Sequence, residues 1–433
     1  AGDSVPMILT PIAMLRGDGV DLARFAYLWP LWRGANTKDG HPYFVTHRRG
    51  EVVSVYPHGT SLLALPLVAA QMVVADADGR GWEQDRSASM ARIMALNKNS
   101  AAALSALTGV CLFLLLRAQG FGWQAWAATL IAGLGSNLWM IASQSLWQHT
   151  GGALSFAAAL ALLAPTRVGR ARLCAGGFAT AAIAVCRLQA FLFPLGIGLA
   201  VLWRYRRASG WFLIGPIALG LPLLFYNYWY FGAAVGGFAA LEPYNGPVHA
   251  VSGTWTSDVA TGLLGTLVSP SHGLLVFSPW IGLALAALPA IGGRLPAVVR
   301  AALWMLIPFT AMLSAHATWW AGWSWGPRYW TDVMPLFGVV LGFALDWSWR
   351  RARPLCVALF ASGAFAIAIQ GLGSACYPCS WDSRPTNVNV DHARLWDWRD
   401  SVLTRSLADD CYGWGPQHAW NFLRYPFPPA PES

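Results

Sequence analysis

Trp319 to Pro335 reads WWAGWSWGPRYWTDVMP, and this stretch decides how the chain is read. An apolar run ends at Thr318, four tryptophans follow within seven residues, and Gly326-Pro327-Arg328-Tyr329 leads into a second apolar run. Tryptophan gathers where lipid meets water, because its ring is apolar and its N–H needs a wet partner. A Gly-Pro pair stops one helix and lets the next begin at a fixed angle. Arg328 is therefore expected in the first turn of a membrane helix, where a fixed cation suits a phosphate. An interfacial aromatic belt with a snorkelling arginine fits these residues equally well. Both readings put the stretch at a membrane boundary.

Composition agrees. Of 433 residues, 56% are hydrophobic and only 11% charged, and the mean hydropathy is +0.44. Soluble domains carry roughly 25% charged residues, so a water-soluble enzyme is excluded. Lys and Arg number 29 against 20 Asp and Glu, a formal charge of +9. That balance does not point to nucleic acid, because the basic residues sit in short loops between apolar runs, the positive-inside pattern.

Ten spanning runs follow from hydropathy: Ser100–Leu116, Trp123–Ser143, Gly151–Ala164, Leu173–Cys186, Ala190–Trp203, Trp211–Phe231, Leu274–Ile291, Val298–Thr318, Tyr329–Leu345 and Leu355–Gly373. The expected fold is an all-α polytopic membrane bundle of about 10–12 transmembrane helices. The segment 1–97 reads as a first outer loop. In it, Pro6–Leu15 and Val20–Trp32 are expected as amphipathic surface helices, and His58–Ala75 as a segment that dips into the membrane. The bundle is placed at 98–373 with an outer loop at 232–273, and 374–433 reads as a periplasmic tail or lid in which Val390–Leu407 forms a surface helix. Basic clusters at Arg167/Arg170/Arg172, Arg204/Arg206/Arg207, Arg294/Arg300 and Arg350/Arg351/Arg353 mark the cytoplasmic side.

The cysteines divide by place. Cys111, Cys174, Cys186 and Cys356 lie in apolar runs and pack as small hydrophobes. Cys376, Cys379 and Cys411 lie in the polar tail, where an oxidising compartment permits one disulfide. The Cys376/Cys379 pair lacks a second pair to complete a zinc site, so no metal ligand is assigned.

Candidate chemistry gathers on the outer side. Asp3 precedes an apolar helix and reads as its N-cap unless Ser4 caps instead, which would free Asp3 as a base. His149 ends the turn SQSLWQH and suits phosphate binding, proton relay or a satisfied interfacial position. Arg187, in AVCRLQAF, has no neighbouring carboxylate in sequence, so an anionic headgroup is its expected partner. Ser271 and His272, in SPSHG, stand where a helix start offers N–H groups to an anion. Asp332, four residues after Arg328, is expected to pair with it along one helical face.

Together these strings resemble the bacterial membrane glycosyltransferases of the GT-C superfamily, the multi-spanning kind that use polyprenyl-phosphate sugars. The resemblance covers nearly the whole chain: GDSVP and LRGDGVDL, VSVYPHGTSLLALPL, SQSLWQH, AVCRLQ, YNYWYFG, LVSPSHGLLVFSP, WWAGWSWGPRY and LWDWRD. It implies an inverting transfer from a polyprenyl-phosphate sugar to a glycan, lipid or protein acceptor of the cell envelope, on the periplasmic face of the inner membrane. Asp3 matches the family's catalytic base. Arg187, Arg328, His149, Ser271 and His272 would hold the donor phosphate. Trp147, Trp319, Trp320, Trp323, Tyr329 and His58 would contact sugar or lipid; the family often has an apolar residue where His58 stands. Asp18 and Asp21 are secondary candidates for the base, although capping suits them better. The resemblance also implies a membrane helix ahead of Ala1. Some members of the superfamily use a divalent cation, for which the sequence offers no clear ligand set; no other cofactor is expected. Two other classes compete. A flippase or transporter of lipid-linked glycans would favour internal repeats and charges at the midplane, which the sequence lacks. A non-catalytic assembly protein has no need of arginine, histidine and acid on one side.

Overall fold

A computed structural model of the protein describes residues 2–35, 41–77, 86–237, 254–377 and 381–408. The chain is 74% helical. In order come α1 (Val5–Leu15), a hairpin of β1 (Val45–Arg48) and β2 (Glu51–Ser54), α2 (Gly59–Ala77), α3 (Arg86–Ala118), α4 (Trp123–Leu134) and α5 (Gln148–Leu163). Then follow α6 (Arg170–Cys186), α7 (Leu192–Tyr205), α8 (Gly210–Phe231), α9 (Val259–Val268), α10 (Leu274–Phe277), α11 (Trp280–Ala286) and α12 (Leu288–Ile291). The last are α13 (Ala297–Ala315), α14 (Met334–Arg351), α15 (Arg353–Ala375) and α16 (Val402–Ala408).

Four helical stretches among the described residues are long and apolar enough to cross a bilayer: Ser89–Ala118, Leu188–Phe231, Ala297–Ala315 and Arg353–Ala375. The architecture is that of a helical, membrane-embedded protein. The count falls short of ten because several apolar runs are short or broken. The run at Trp123 stops at Leu134 and resumes as a turn at Leu138–Ala142. The run at Leu274 is cut into α10, α11 and α12. Backbone freed by one break is satisfied by the other: Gly135 O accepts from Ser278 Oγ at 2.8 Å and Trp280 Nε1 at 2.9 Å. Broken helices survive at membrane depth only when their polar groups are answered in this way.

Helix α14 is the central post. Every residue from Met334 to Asp346 is buried. Gly338 and Gly342, one turn apart, face Leu112 and Leu116 of α3, whose Cδ2 atoms lie 2.6 and 2.5 Å from where a Cβ would stand. A closer approach joins α6 to α8. A Cβ on Gly215 would lie 2.1 Å from the backbone N of Phe178, and one on Gly177 would lie 2.0 Å from Phe212 O. Small residues let membrane helices meet backbone to backbone. Gly215→Val is therefore expected to cost about 1–3 kcal/mol through forced separation, read as a lower thermal midpoint in detergent; an unchanged midpoint would show that the crossing is looser.

Two expectations for the N-terminal segment and the tail change. Helix α1 is not a surface helix: Val5 to Ala13 are all buried, in a core with Phe25, Phe44, Val45 and Val68. Its sequence VPMILTPIAML carries no polar stripe that could face water. The 3-10 run Ala23–Ala35 does show two faces, with Phe25, Leu28 and Trp29 buried and Arg24 exposed. The hairpin is an added element. Arg49 and Gly50 both take positive φ (52° and 86°), which suits a tight two-residue turn, and Arg48 pairs with Glu51. In the tail, Val390–Leu407 is not one helix but a 3-10 turn at His392–Trp396 followed by α16. Cys376 is disulfide-bonded; Cys379 and Cys411 lie outside the described residues, as does much of the loop placed at 232–273.

Candidate functional site

Gly2–Ser4 forms a 3-10 turn ahead of α1. The space of a missing Cβ at Gly2 is taken by Tyr43 Oη, 2.5 Å away, so glycine lets that tyrosine reach its neighbour Asp3. Asp3 Oδ1 accepts from the hydroxyls of Tyr43 and, at 3.0 Å, Tyr56. Asp3 Oδ2 accepts from Arg328 at 3.2 Å, across 325 residues of sequence. Ser4 is the residue at the cap position of α1, and the Asp3 oxygens go to these three partners. The pair keeps an opening to solvent: 26% of the Asp3 side chain and 13% of that of Arg328 are exposed.

Burial pushes the Asp3 carboxyl up, but the Arg328 charge and the two tyrosine hydroxyls outweigh it, and its pKa lies below the ordinary carboxylate value. Burial and the same carboxylate push the Tyr43 and Tyr56 hydroxyls up, so both remain donors. Asp3 is thus an anion held in place by three donors. A depressed pKa stabilises the fold above the unfolded carboxylate value and loses that contribution as pH falls through the folded one. The pH–rate profile of any Asp3-dependent turnover is expected to stay flat from about pH 8 down to about pH 5. Arg328→Gln should move the acidic limb up toward that range, because the strongest opposition to burial is then removed. A wild-type limb near neutrality that ignores Arg328 would contradict this.

Arg328 opens the 3-10 turn Arg328–Val333 that precedes α14. Its Nη2 donates to Ala321 O at 2.6 Å, its guanidinium lies 4.9 Å from the Trp147 ring centre, and its Nε is buried without a partner. Asp332 does not pair with Arg328. In a 3-10 turn, residues three apart eclipse, so the fourth is swung about 120° away. Asp332, fully buried, accepts on Oδ2 from Arg187 and meets His149 Nδ1 at 3.0 Å. Arg187 also donates to Tyr329 O at 3.2 Å. Its partner is therefore an internal carboxylate, not the expected headgroup. Gly152 makes room for this trio, since a Cβ there would lie 2.4 Å from Asp332 Oδ1. The Tyr329 ring stands between the two arginines, 5.2 Å from Arg187 and 5.9 Å from Arg328.

The remaining candidates lie further out. His272 donates from Nε2 to Ser324 O at 3.1 Å, and burial pushes its pKa down to about 3, so it is neutral. The N–H groups of Ser271 and His272 both turn to Ser269 Oγ at 3.3 Å, so the expected anion cradle is already filled. Ser271 Oγ and His272 Nδ1 are buried without partners. Trp319 and Trp320 are covered by the tail, packed on Trp396 and His392, with Trp320 Nε1 on Asn389 Oδ1 at 3.2 Å. Trp323 is 48% exposed. His58 is buried edge-on to Tyr226, with both ring nitrogens unpartnered. Asp18 is engaged by Arg24, and Asp21 caps the backbone of Ala23 and Val52. Among the described residues no cluster of three or more His, Cys, Asp or Glu could hold a metal ion.

Sequence reading missed Tyr43 and Tyr56. Tyr56 sits inside the VSVYPHGTS string, but only the hairpin that closes over α1 reveals what either hydroxyl faces. No family model, no curated protein and no solved structure matches this chain.

Proposed function

We propose that the protein is a membrane glycosyltransferase that moves a sugar from a polyprenyl-phosphate donor to a cell-envelope acceptor, with Asp3 as base and Arg328 on the departing phosphate. The observation that carries this reading is the pairing of Asp3 with Arg328 across 325 residues, with the Tyr43 and Tyr56 hydroxyls on the same carboxylate. The three donors around Asp3 hold it ionised.

In the proposed step, the acceptor hydroxyl oxygen bonds to the anomeric carbon while the bond from that carbon to the phosphate oxygen breaks. The hydroxyl proton passes to Asp3, and the electron pair leaves on polyprenyl phosphate, where Arg328 balances the charge. Attack opposite the leaving group inverts the anomeric carbon. The phosphate leaves readily, so no second carboxylate is required. Arg187, Asp332 and His149 act as positioning residues, fixing the turn from which Arg328 projects. An apolar groove of about 360 Å³ between α6, α7 and α8 passes Ala184 and Val185, just ahead of Arg187, and is lined by Leu195, Leu199 and Leu202. Its chemistry suits a prenyl tail.

The test is turnover. Reconstituted protein is given radiolabelled polyprenyl-phosphate sugars and a cell-envelope extract, and free polyprenyl phosphate and labelled acceptor are measured. Stoichiometric appearance of both supports the reading and identifies the donor. Intact donor crossing the vesicle bilayer, or tight binding without turnover, would replace it with a transport or assembly role.

A further inference from the structure

The end of α14 away from Arg328 carries a second polar site. Eighteen residues of helix separate the two ends, about 27 Å at 1.5 Å per residue, so this site is independent of the proposed chemistry. A cavity of about 530 Å³ is lined there by Arg294, Asp346, Trp347, Arg350 and Arg351. Asp346 is its anchor: the side chain is only 3% exposed, Oδ2 accepts from Arg294 at 2.7 Å, and Oδ1 accepts from Arg350 at 2.8 Å. The two guanidiniums so fixed remain 48% and 69% exposed. Arg351 lines the same cavity and has no ion-pair partner among the described residues. Three arginines against one carboxylate leave a formal charge of +2 on the cavity wall.

The surroundings say where this cavity sits. Trp123 and Trp349 are 39% and 49% exposed and stack edge-on at 5.3 Å. Arg353 lies 5.5 Å from the Trp349 ring. Exposed tryptophan beside arginine marks the level where acyl chains give way to headgroups. A cationic cavity at that level, with forked donors held open by a buried carboxylate, matches a phosphate ester.

We propose that the Arg294–Asp346–Arg350–Arg351 cavity binds the phosphate of an anionic phospholipid headgroup. Purified full-length protein, stripped of lipid in neutral detergent, is titrated with phosphatidylglycerol, phosphatidylcholine or inorganic phosphate, and the thermal midpoint and lipid retention in native mass spectrometry are read. Phosphatidylglycerol should raise the midpoint, and its affinity should fall about fivefold for each arginine removed. Arg351→Gln is the first variant, because it leaves both Asp346 ion pairs intact; Arg294→Gln is the second. A midpoint rise with inorganic phosphate alone would keep the phosphate site but make its ligand soluble, overturning the lipid assignment. Equal stabilisation by phosphatidylcholine, or an undiminished response in both variants, would overturn the site.

Discussion

Asp3→Asn is expected to lower release of polyprenyl phosphate by about 10²- to 10⁴-fold, the range for loss of a positioned base, while donor binding stays near wild type. The amide keeps the shape of the carboxylate and can still accept from Tyr43 or Tyr56, so the core around α1 should hold. It cannot take the proton of an acceptor hydroxyl. It also frees Arg328 from its only carboxylate partner among the described residues, and a freed guanidinium should hold the anionic donor at least as well. Loss of binding together with turnover would make Asp3 a structural support for Arg328 rather than the base.

The second large effect belongs to the buried trio. Arg187→Met leaves Asp332 charged and fully buried with only His149 beside it. Breaking a buried pair by removing one partner costs about 3–5 kcal/mol. The variant should therefore unfold at a markedly lower temperature and lose activity through the displaced 328–333 turn. Adding Asp332→Leu should recover much of the stability, since a matched apolar replacement leaves no orphan charge. If instead Arg187→Met keeps its thermal midpoint and loses only donor affinity, Arg187 reaches the donor phosphate directly, as its sequence setting alone suggests.

The helix break within Trp319–Pro335 was legible because Gly-Pro reports local physics: α13 ends at Ala315 and α14 starts at Met334. Arg328, expected in the first turn of that next helix, stands instead in the 3-10 turn ahead of it. Partners were not legible, because they come from far along the chain. Nothing near AVCRLQAF announces that Asp332 will reach Arg187. The pairing expected between Arg328 and Asp332 assumed an α-helix, and the 3-10 turn rotates them apart. Trp319 and Trp320 show the converse limit. Residue type marked them for an interface, but whether that interface meets sugar or the chain's own tail depends on residues sixty and more positions away. The hairpin was missed because its four-residue strands, VTHR and EVVS, are too short for a clear alternation.

The most direct measurement sets Asp3→Asn and Arg328→Gln side by side, recording donor affinity and turnover for each against wild type. Asp3→Asn is expected to lose turnover alone. Arg328→Gln should lose both, with donor affinity down about 10- to 100-fold for one charged hydrogen bond. Wild-type turnover in Asp3→Asn, or unchanged donor affinity in Arg328→Gln, would contradict the division of labour between carboxylate and guanidinium.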